Sequence, residues 1–377
     1  MAEPLLSVRD AEQAAARILT ADIRDFIGGG SEAEATLAAN RAALDAVFLV
    51  PRVLTGITKC DTTATLVGCQ SALPVAIAPM SYQRAVHPEG EVGMARAAKE
   101  AGIPLTLSMM SSCPIEKVAA VGATLWQQVY WLRDRGLVTE TVQRAEEAGC
   151  EALVLTVDLP RIGRRLRDMR NAFTLPSGVT AANLGGPDDA LLHKHAVGSS
   201  GVAVHSNHMF DPSLSWDDVT WLRDATRLPL VIKGILDPGD ARRAVEHGAD
   251  AIVVSNHGGR QLDGAVPSAT ALPAVRDTVR GRCEVLLDSG IRGGVDVLRA
   301  LALGANGVLL GRPALWGLAS GSDGAAQVLS LLAEELTEAM HLAGCPDVAS
   351  ARGLCAAGAA PGFLSRETRP QTGQTGR

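Results

Sequence analysis

The stretch LVIKGILDPGDARRAVEHGADAIVVSNHGGR, residues 230–260, holds one strand–helix–strand unit. Leu230–Lys233 is a short apolar run that ends on a lysine. Ala251–Ser255 is a second, followed by Asn256, His257, Gly258, Gly259 and Arg260. Between them PGDARRAVEHGA (238–249) has helical spacing and stops at His247-Gly248, where glycine supplies the left-handed residue that ends a helix. A run apolar at every position is what a parallel strand covered on both faces requires.

Working outward, the same alternation recurs from residue 73 onward. The apolar runs are Leu73–Ala78, Ile103–Ser108, Thr124–Tyr130, Ala152–Val157, Leu230–Lys233, Ala251–Ser255, Glu284–Asp288 and Gly307–Leu310, eight in all. Helix-like segments such as EGEVGMARAAKEAG (89–102) separate most of them. Eight strand–helix repeats predict a (β/α)8 barrel, which fits 377 residues as a single domain over 1–365. Residues 1–72 read as two or three helices and a short hairpin, capping the bottom or one side of the barrel. The long interval after Val157, and within it 175–212, lacks a clear period and reads as an active-site lid loop. The tail, 366–377, is polar and reads as disordered.

Composition narrows the function. Apolar residues make up 47% of the chain and aromatics only 3%, which suits a helix-covered parallel sheet. A net charge of −6 argues against a nucleic-acid binder. The seven scattered cysteines contain no C-x-x-C pair and read as free thiols in a reducing compartment. MAEPLLSVRD has no signal-peptide pattern, and no apolar run is long enough to cross a membrane. A cytoplasmic protein is expected.

In a barrel of this kind, polar residues at the C-terminal ends of strands form the site. Here nearly every run ends so: Ser108 on the second, Gln128 and Tyr130 on the third, Thr156 and Asp158 on the fourth. Lys233, Ser255 with His257, Asp288, and Gly311 with Arg312 close the remaining runs from the fifth to the eighth. Each alone has an ordinary explanation, as a helix cap or a buried pair; together at one mouth they form a site. DSGIRGG (288–294) and LLGRP (309–313) follow the last two strands, the usual phosphate position of this fold, with Arg292 and Arg312 at hand.

SNHGGRQLD (255–263) carries the resemblance further. Together with TLAANR (36–41), IAP (77–79), HPEGE (87–91), LTVDLPRIGRR (155–165), LVIKG (230–234), LLDSGIR (286–292) and ALALGANGVLLGRP (300–313), it resembles the FMN-dependent 2-hydroxy acid dehydrogenase family. The likeness spans about residues 5 to 350. It implies that His257 is the base, Asp158 the carboxylate supporting its protonated form, and Tyr130 a substrate hydrogen-bonding group. It implies that Arg165 and Arg260 clamp the substrate carboxylate and that Lys233 lies beside the flavin N1–C2=O edge. Pro79, Met80, Ser81, Ser108, Gln128, Thr156 and Ser255 correspond to flavin contacts, and Asp288, Ser289, Gly290, Ile291, Arg292, Gly311 and Arg312 to the ribityl and phosphate grip.

Two positions depart from the glycolate oxidase pattern: Phe26, in RDFIGGG (24–30), replaces a second active-site tyrosine, and Met110 replaces a tryptophan. With RRLRDMRNAF (164–173), these resemble the hydroxymandelate-oxidising branch of the family. The resemblance therefore implies oxidation of an aromatic (S)-2-hydroxy acid with FMN as cofactor. The missing haem domain and membrane insert favour O2 as acceptor, and the resemblance implies a homotetramer. The alternatives are a lactate or glycolate enzyme with another acceptor, an FMN-dependent isomerase or nucleotide dehydrogenase, and a non-enzymatic barrel.

Overall fold

The computed structural model describes residues 5–194, 198–352, 354 and 356–357; the expected tail at 366–377 and the expected domain end at 365 lie outside the described residues. Eight parallel strands close into a barrel: β1 (Val75–Ile77), β2 (Leu105–Leu107), β3 (Leu125–Val129), β4 (Ala152–Thr156), β5 (Leu230–Ile235), β6 (Ala251–Val254), β7 (Glu284–Leu287) and β8 (Gly307–Leu310). Each corresponds to one of the eight apolar runs, and neighbours in sequence are neighbours in the ring, with β8 closing on β1.

Strand alternation sorts the core into two layers. Val75, Ile77, Leu105, Leu107, Leu153, Leu155, Ile232, Ile252 and Leu310 face outward and pack with the helices. Ala76, Trp126, Val154, Val231, Val253, Leu286 and Leu309 face inward. The inward set decides the function. Two residues on from Trp126 is Gln128; from Val154, Thr156; from Val231, Lys233; from Val253, Ser255; from Leu286, Asp288. One continuous inner face thus changes from apolar to polar as each strand nears the mouth.

The N-terminal segment divides between the two ends of the barrel. A hairpin of Ala64–Leu66 and Cys69–Ser71 plugs the bottom: Leu66, Val67 and Cys69 join the inner core, and the Val67 amide donates to Glu284 at the start of β7 (2.9 Å). Helices α1 (Val8–Ile18), α2 (Ala21–Gly28) and α3 (Ala35–Asp45) lie elsewhere. α1 packs on the helices Arg312–Leu318 and Gly321–Ala343 that follow β8. α2 and α3 reach the mouth, so that Phe26 and Ile27 line the central cleft. An amphipathic pattern shows that a helix packs, not against which end of a barrel, and this placement is not readable from residues 1–72 alone.

The segment expected as a lid loop contains helical structure: a 3-10 stretch at Pro187–His193 and a helix at Gly201–Met209. Leu175, Leu192 and Val202 are buried, so its described residues pack as part of the body. Its helix was hidden by an apolar face of only a few residues.

Candidate active site

The mouth of the barrel opens into a cleft with about 1070 Å³ of empty space, the open rim included. His257 stands at its wall, in a turn after β6. Its φ is +58°, a left-handed conformation that costs a residue with a Cβ. Its Nδ1 bonds Asp158 Oδ1 at 2.8 Å, while its own amide donates to Ser255 Oγ at 3.0 Å. Burial holds His257 below its ordinary pKa, opposed by Asp158 and assisted by Lys233 and Arg165. Burial raises Asp158, but His257 and Lys233 outweigh it and keep the carboxylate below its usual value. At neutral pH the pair is therefore a neutral imidazole on a carboxylate. Nδ1 carries the hydrogen toward Asp158, and Nε2 is left as the basic nitrogen.

Gly234 is what allows Asp158 its place. At Gly234, φ is +116° and a Cβ would lie 2.6 Å from the Asp158 Cβ. The strand register also shifts between Lys233 and Ile235. Lys233 Nζ bonds Asp288 at 2.9 Å and Ser255 Oγ at 3.0 Å. Burial lowers the Lys233 pKa, yet Asp288 and Asp158 more than offset it, so the ammonium stays charged.

Beneath the lining runs a chain of polar side chains from successive strands. Ser81 Oγ meets Ser108 Oγ at 3.1 Å, Ser108 donates to Gln128 Oε1 at 3.2 Å, and Gln128 Nε2 donates to Thr156 Oγ1 at 3.1 Å. Of the residues expected at the flavin, Pro79, Met80, Ser81, Lys233, Asp288, Ser289, Gly290, Ile291, Arg292, Gly311 and Arg312 line the cleft itself. Ser108, Gln128, Thr156 and Ser255 are buried one layer deeper.

Four arginines face the same cleft: Arg165, Arg260, Arg292 and Arg312. None forms a salt bridge among the described residues. Arg260 Nη1 donates to the carbonyls of Phe26 and Gly29, both at 2.8 Å. Arg312 donates to Ile27, Gly29 and Gly258, each at 3.0 Å. The carbonyls at the end of α2 are thus the acceptors that draw this segment over the mouth. Gly30 permits the approach, since a Cβ there would meet Gly259 O at 2.9 Å. Burial and Arg165 press Arg260 down to about 9, burial presses Arg292 down to about 10, and Arg312 falls well below its usual value. Arg165 is 8% exposed, and its Nε has no partner.

Asp168 and Glu34 act on these arginines only from beyond salt-bridge distance. Buried cations without a direct partner are costly, and here they border an open cleft, which fits an anionic ligand. Arg292 and Arg312 also border a second recess, with Gly258, Gly290 and Trp316. Gly311 meets nothing nearer than 3.9 Å on its Cβ side, leaving room for a group against the backbone. The donor set therefore fits a phosphate beside β7–β8. The other pair, Arg165 and Arg260, stands with His257 and Tyr130 and fits a carboxylate.

Several cleft residues carry no strand-end signal. Val202, Ser206 and Phe210 enter from the helix Gly201–Met209 and its end; their four-residue spacing is the sequence trace that marks them. Phe210 stacks on Tyr130 (centroids 4.6 Å), and Phe26 stacks on Phe173 (4.5 Å). Leu159, Ile162 and Met110 complete an apolar side.

A parallel barrel whose mouth joins a neutral histidine, a fixed ammonium and two pairs of guanidiniums without salt bridges defines a class: a barrel protein with an acid–base site for an acidic ligand beside a phosphate-bearing one. The comparisons identify which. The FMN-dependent dehydrogenase model matches residues 15–356, and the chain belongs to that family, with FMN as its cofactor. It is 53% identical to the 4-hydroxymandelate oxidase of Amycolatopsis orientalis over 350 residues, covering 93% of this chain and 97% of the relative. It is 48% identical to an L-lactate oxidase of Nostoc sp. over 340 residues, covering 89% and 93%. A crystal structure of mandelate oxidase with (S)-4-hydroxymandelic acid superposes with a TM-score of 0.91, at 53% identity, over 93% of this chain and 98% of that one.

Proposed function

We propose that the chain oxidises an aromatic (S)-2-hydroxy acid of the mandelate or 4-hydroxymandelate type to the 2-oxo acid, with O2 reduced to H2O2. The observation that carries this is the grouping of His257 with two guanidiniums, Arg165 and Arg260, that form no salt bridge among the described residues, in a cleft walled by Phe26, Met110, Leu159, Val202 and Phe210. An aryl group suits that wall, and the relatives named for mandelate and 4-hydroxymandelate support the same choice.

In this reading Arg165 and Arg260 fix the substrate carboxylate, and forked donors set one orientation. Tyr130, which burial keeps protonated, donates a hydrogen bond to the substrate. Phe26 offers a ring face in place of a second hydroxyl. His257 Nε2 accepts a proton from the hydroxy acid, and Asp158 stabilises the imidazolium that results. Bound FMN would accept the two electrons and, with the second hydrogen of the hydroxy acid, return them to O2 as H2O2. Lys233 would hold a positive charge beside the cofactor and could stabilise the negative charge added on reduction. Arg292, Arg312 and the 288–291 and Gly311 backbone would hold its phosphate end. Pro79, Met80 and Ser81 would contact its ring system, with Ser108, Gln128, Thr156 and Ser255 supporting them from the layer beneath.

Residues 175–212 serve as the cover of the cleft, and 1–365 act as one FMN-binding unit. The oligomer is a homotetramer, and the compartment is the cytoplasm; no helix among the described residues is long and apolar enough to cross a membrane. The test is O2 uptake with glycolate, lactate, (S)-mandelate and (S)-4-hydroxymandelate. The aryl acids are expected to lead in kcat/KM. Preference for lactate or glycolate, or flavin bleaching without O2 uptake, would refute the substrate and the acceptor respectively.

A further inference from the structure

Tyr82 is a cleft residue that the reaction above does not use. It lies just beyond β1, is 1% exposed, and lines the same cavity as Met110, Tyr130, Val202 and Phe210. Its amide donates to Met110 O at 3.1 Å, and its φ is +56°, a left-handed conformation that a bulky residue adopts only when its surroundings impose it. Its hydroxyl is buried and has no hydrogen-bond partner. Around it, Tyr130 and Asp189 lie within electrostatic reach without bonding to it. Burial pushes the phenol far above its ordinary range, so it remains an O–H donor throughout the working pH range.

A buried phenol that bonds nothing is worse placed than a phenylalanine, since it has lost its water and gained no substitute. The imbalance ends when a ligand brings a hydroxyl into the cleft. Position favours the same partner. Arg165 and Arg260 come from the loops after β4 and β6, and β1 lies three strands from each around the ring. The carboxylate anchor and the free phenol are therefore carried on different sides of the barrel ring, and both line one cleft together with Met110, Val202 and Phe210. A 4-hydroxyaryl acid has the same arrangement: a carboxylate at one end, a ring, and a hydroxyl at the other.

We propose that Tyr82 is a specificity residue that hydrogen-bonds the para-hydroxyl of the substrate ring. This rests on the aromatic 2-hydroxy acid reading above. In the FMN-loaded enzyme, kcat/KM is compared for (S)-4-hydroxymandelate and (S)-mandelate in wild type, Tyr82→Phe and Ser206→Ala. Inhibition constants are measured in parallel for the unreactive pair 4-hydroxyphenylacetate and phenylacetate.

Wild type is expected to favour the hydroxylated member of each pair. Tyr82→Phe, which keeps the ring and its packing, should reduce that preference by about 10- to 100-fold, the range for leaving a buried hydroxyl unpaired. Ser206→Ala, which removes the hydroxyl contributed by the facing helix, should keep the wild-type ratio. A preference unchanged in Tyr82→Phe, or lost in Ser206→Ala instead, overturns the assignment. So does a wild type indifferent to the para-hydroxyl in both pairs. If neither aryl acid is oxidised but the inhibitors still discriminate through Tyr82, the substrate reading fails while the phenol-binding role stands.

Discussion

Replacing Asp158 by Asn tests the acid–base pair directly. The carboxylate lies 2.8 Å from His257 Nδ1, and both groups are largely screened from solvent. A hydrogen bond to a charged group contributes about 1.5–3 kcal/mol, so losing the one that stabilises the imidazolium should lower kcat by about 10- to 150-fold. That is a lower bound. An asparagine can turn its N–H toward Nδ1 and favour the tautomer with hydrogen on Nε2, which removes the base. The pH dependence carries the sign. His257 already sits below its usual pKa, through burial that Asp158 only partly opposes. Removing the anion lowers it further, so the acidic limb of kcat/KM must move to lower pH while the plateau falls. The assay is anaerobic flavin reduction by (S)-mandelate followed from pH 5 to 9, with FMN content checked by absorbance. A full plateau rate, or an acidic limb displaced upward, would refute the proposed roles of His257 and Asp158.

Other outcomes follow from the same geometry. Arg165→Met should raise KM for a 2-hydroxy acid by about 10- to 150-fold, the loss of a charge-assisted contact, with FMN still bound; an unchanged KM counts against the clamp. Lys233→Met leaves the Asp288 carboxylate buried without its 2.9 Å partner. Thermal unfolding of the apoprotein should show a loss of about 3–5 kcal/mol, recovered in part by Lys233→Met/Asp288→Asn, and a double variant no better than the single one would contradict this. FMN should raise the melting temperature of the apoprotein well above the effect of riboflavin at equal concentration. Binding at a hundred times Kd adds about 2.7 kcal/mol, and equal shifts would mean that Arg292 and Arg312 do not hold the phosphate.

The barrel was legible because strands covered on both faces must be apolar at consecutive positions. Leu230–Lys233 and Ala251–Ser255 show this as plainly in sequence as in β5 and β6. The site was legible for a related reason. Inner-face positions recur every second residue, so Val154, Thr156 and Asp158 share one side of β4 and its extension. What the strand pattern could not place is what enters the mouth from outside the barrel. Phe26 was expected there only through the family resemblance; what holds it are the carbonyls of Phe26, Ile27 and Gly29 on Arg260 and Arg312, and backbone acceptors have no residue signature. Phe210 and Ser206 come from a short helix whose apolar face is too narrow to stand out. Tyr82 is one residue past a flavin-type contact, and only the lack of a partner for its hydroxyl distinguishes it from core.

The same contacts explain why the N-terminal segment belongs to the site. Arg312, Arg292, Arg260 and Arg165 repel one another across the cleft, and no carboxylate among the described residues forms a salt bridge with any of them. The partial negative charge at the end of α2 is the substitute the chain provides, and it is weaker than a full anion. Folding therefore leaves an electrostatic deficit at the mouth that a phosphate and a carboxylate are suited to fill, each beside its own pair of guanidiniums. Binding is strengthened because the alternative is repulsion, and selectivity arises because a neutral ligand of the same shape leaves the deficit in place.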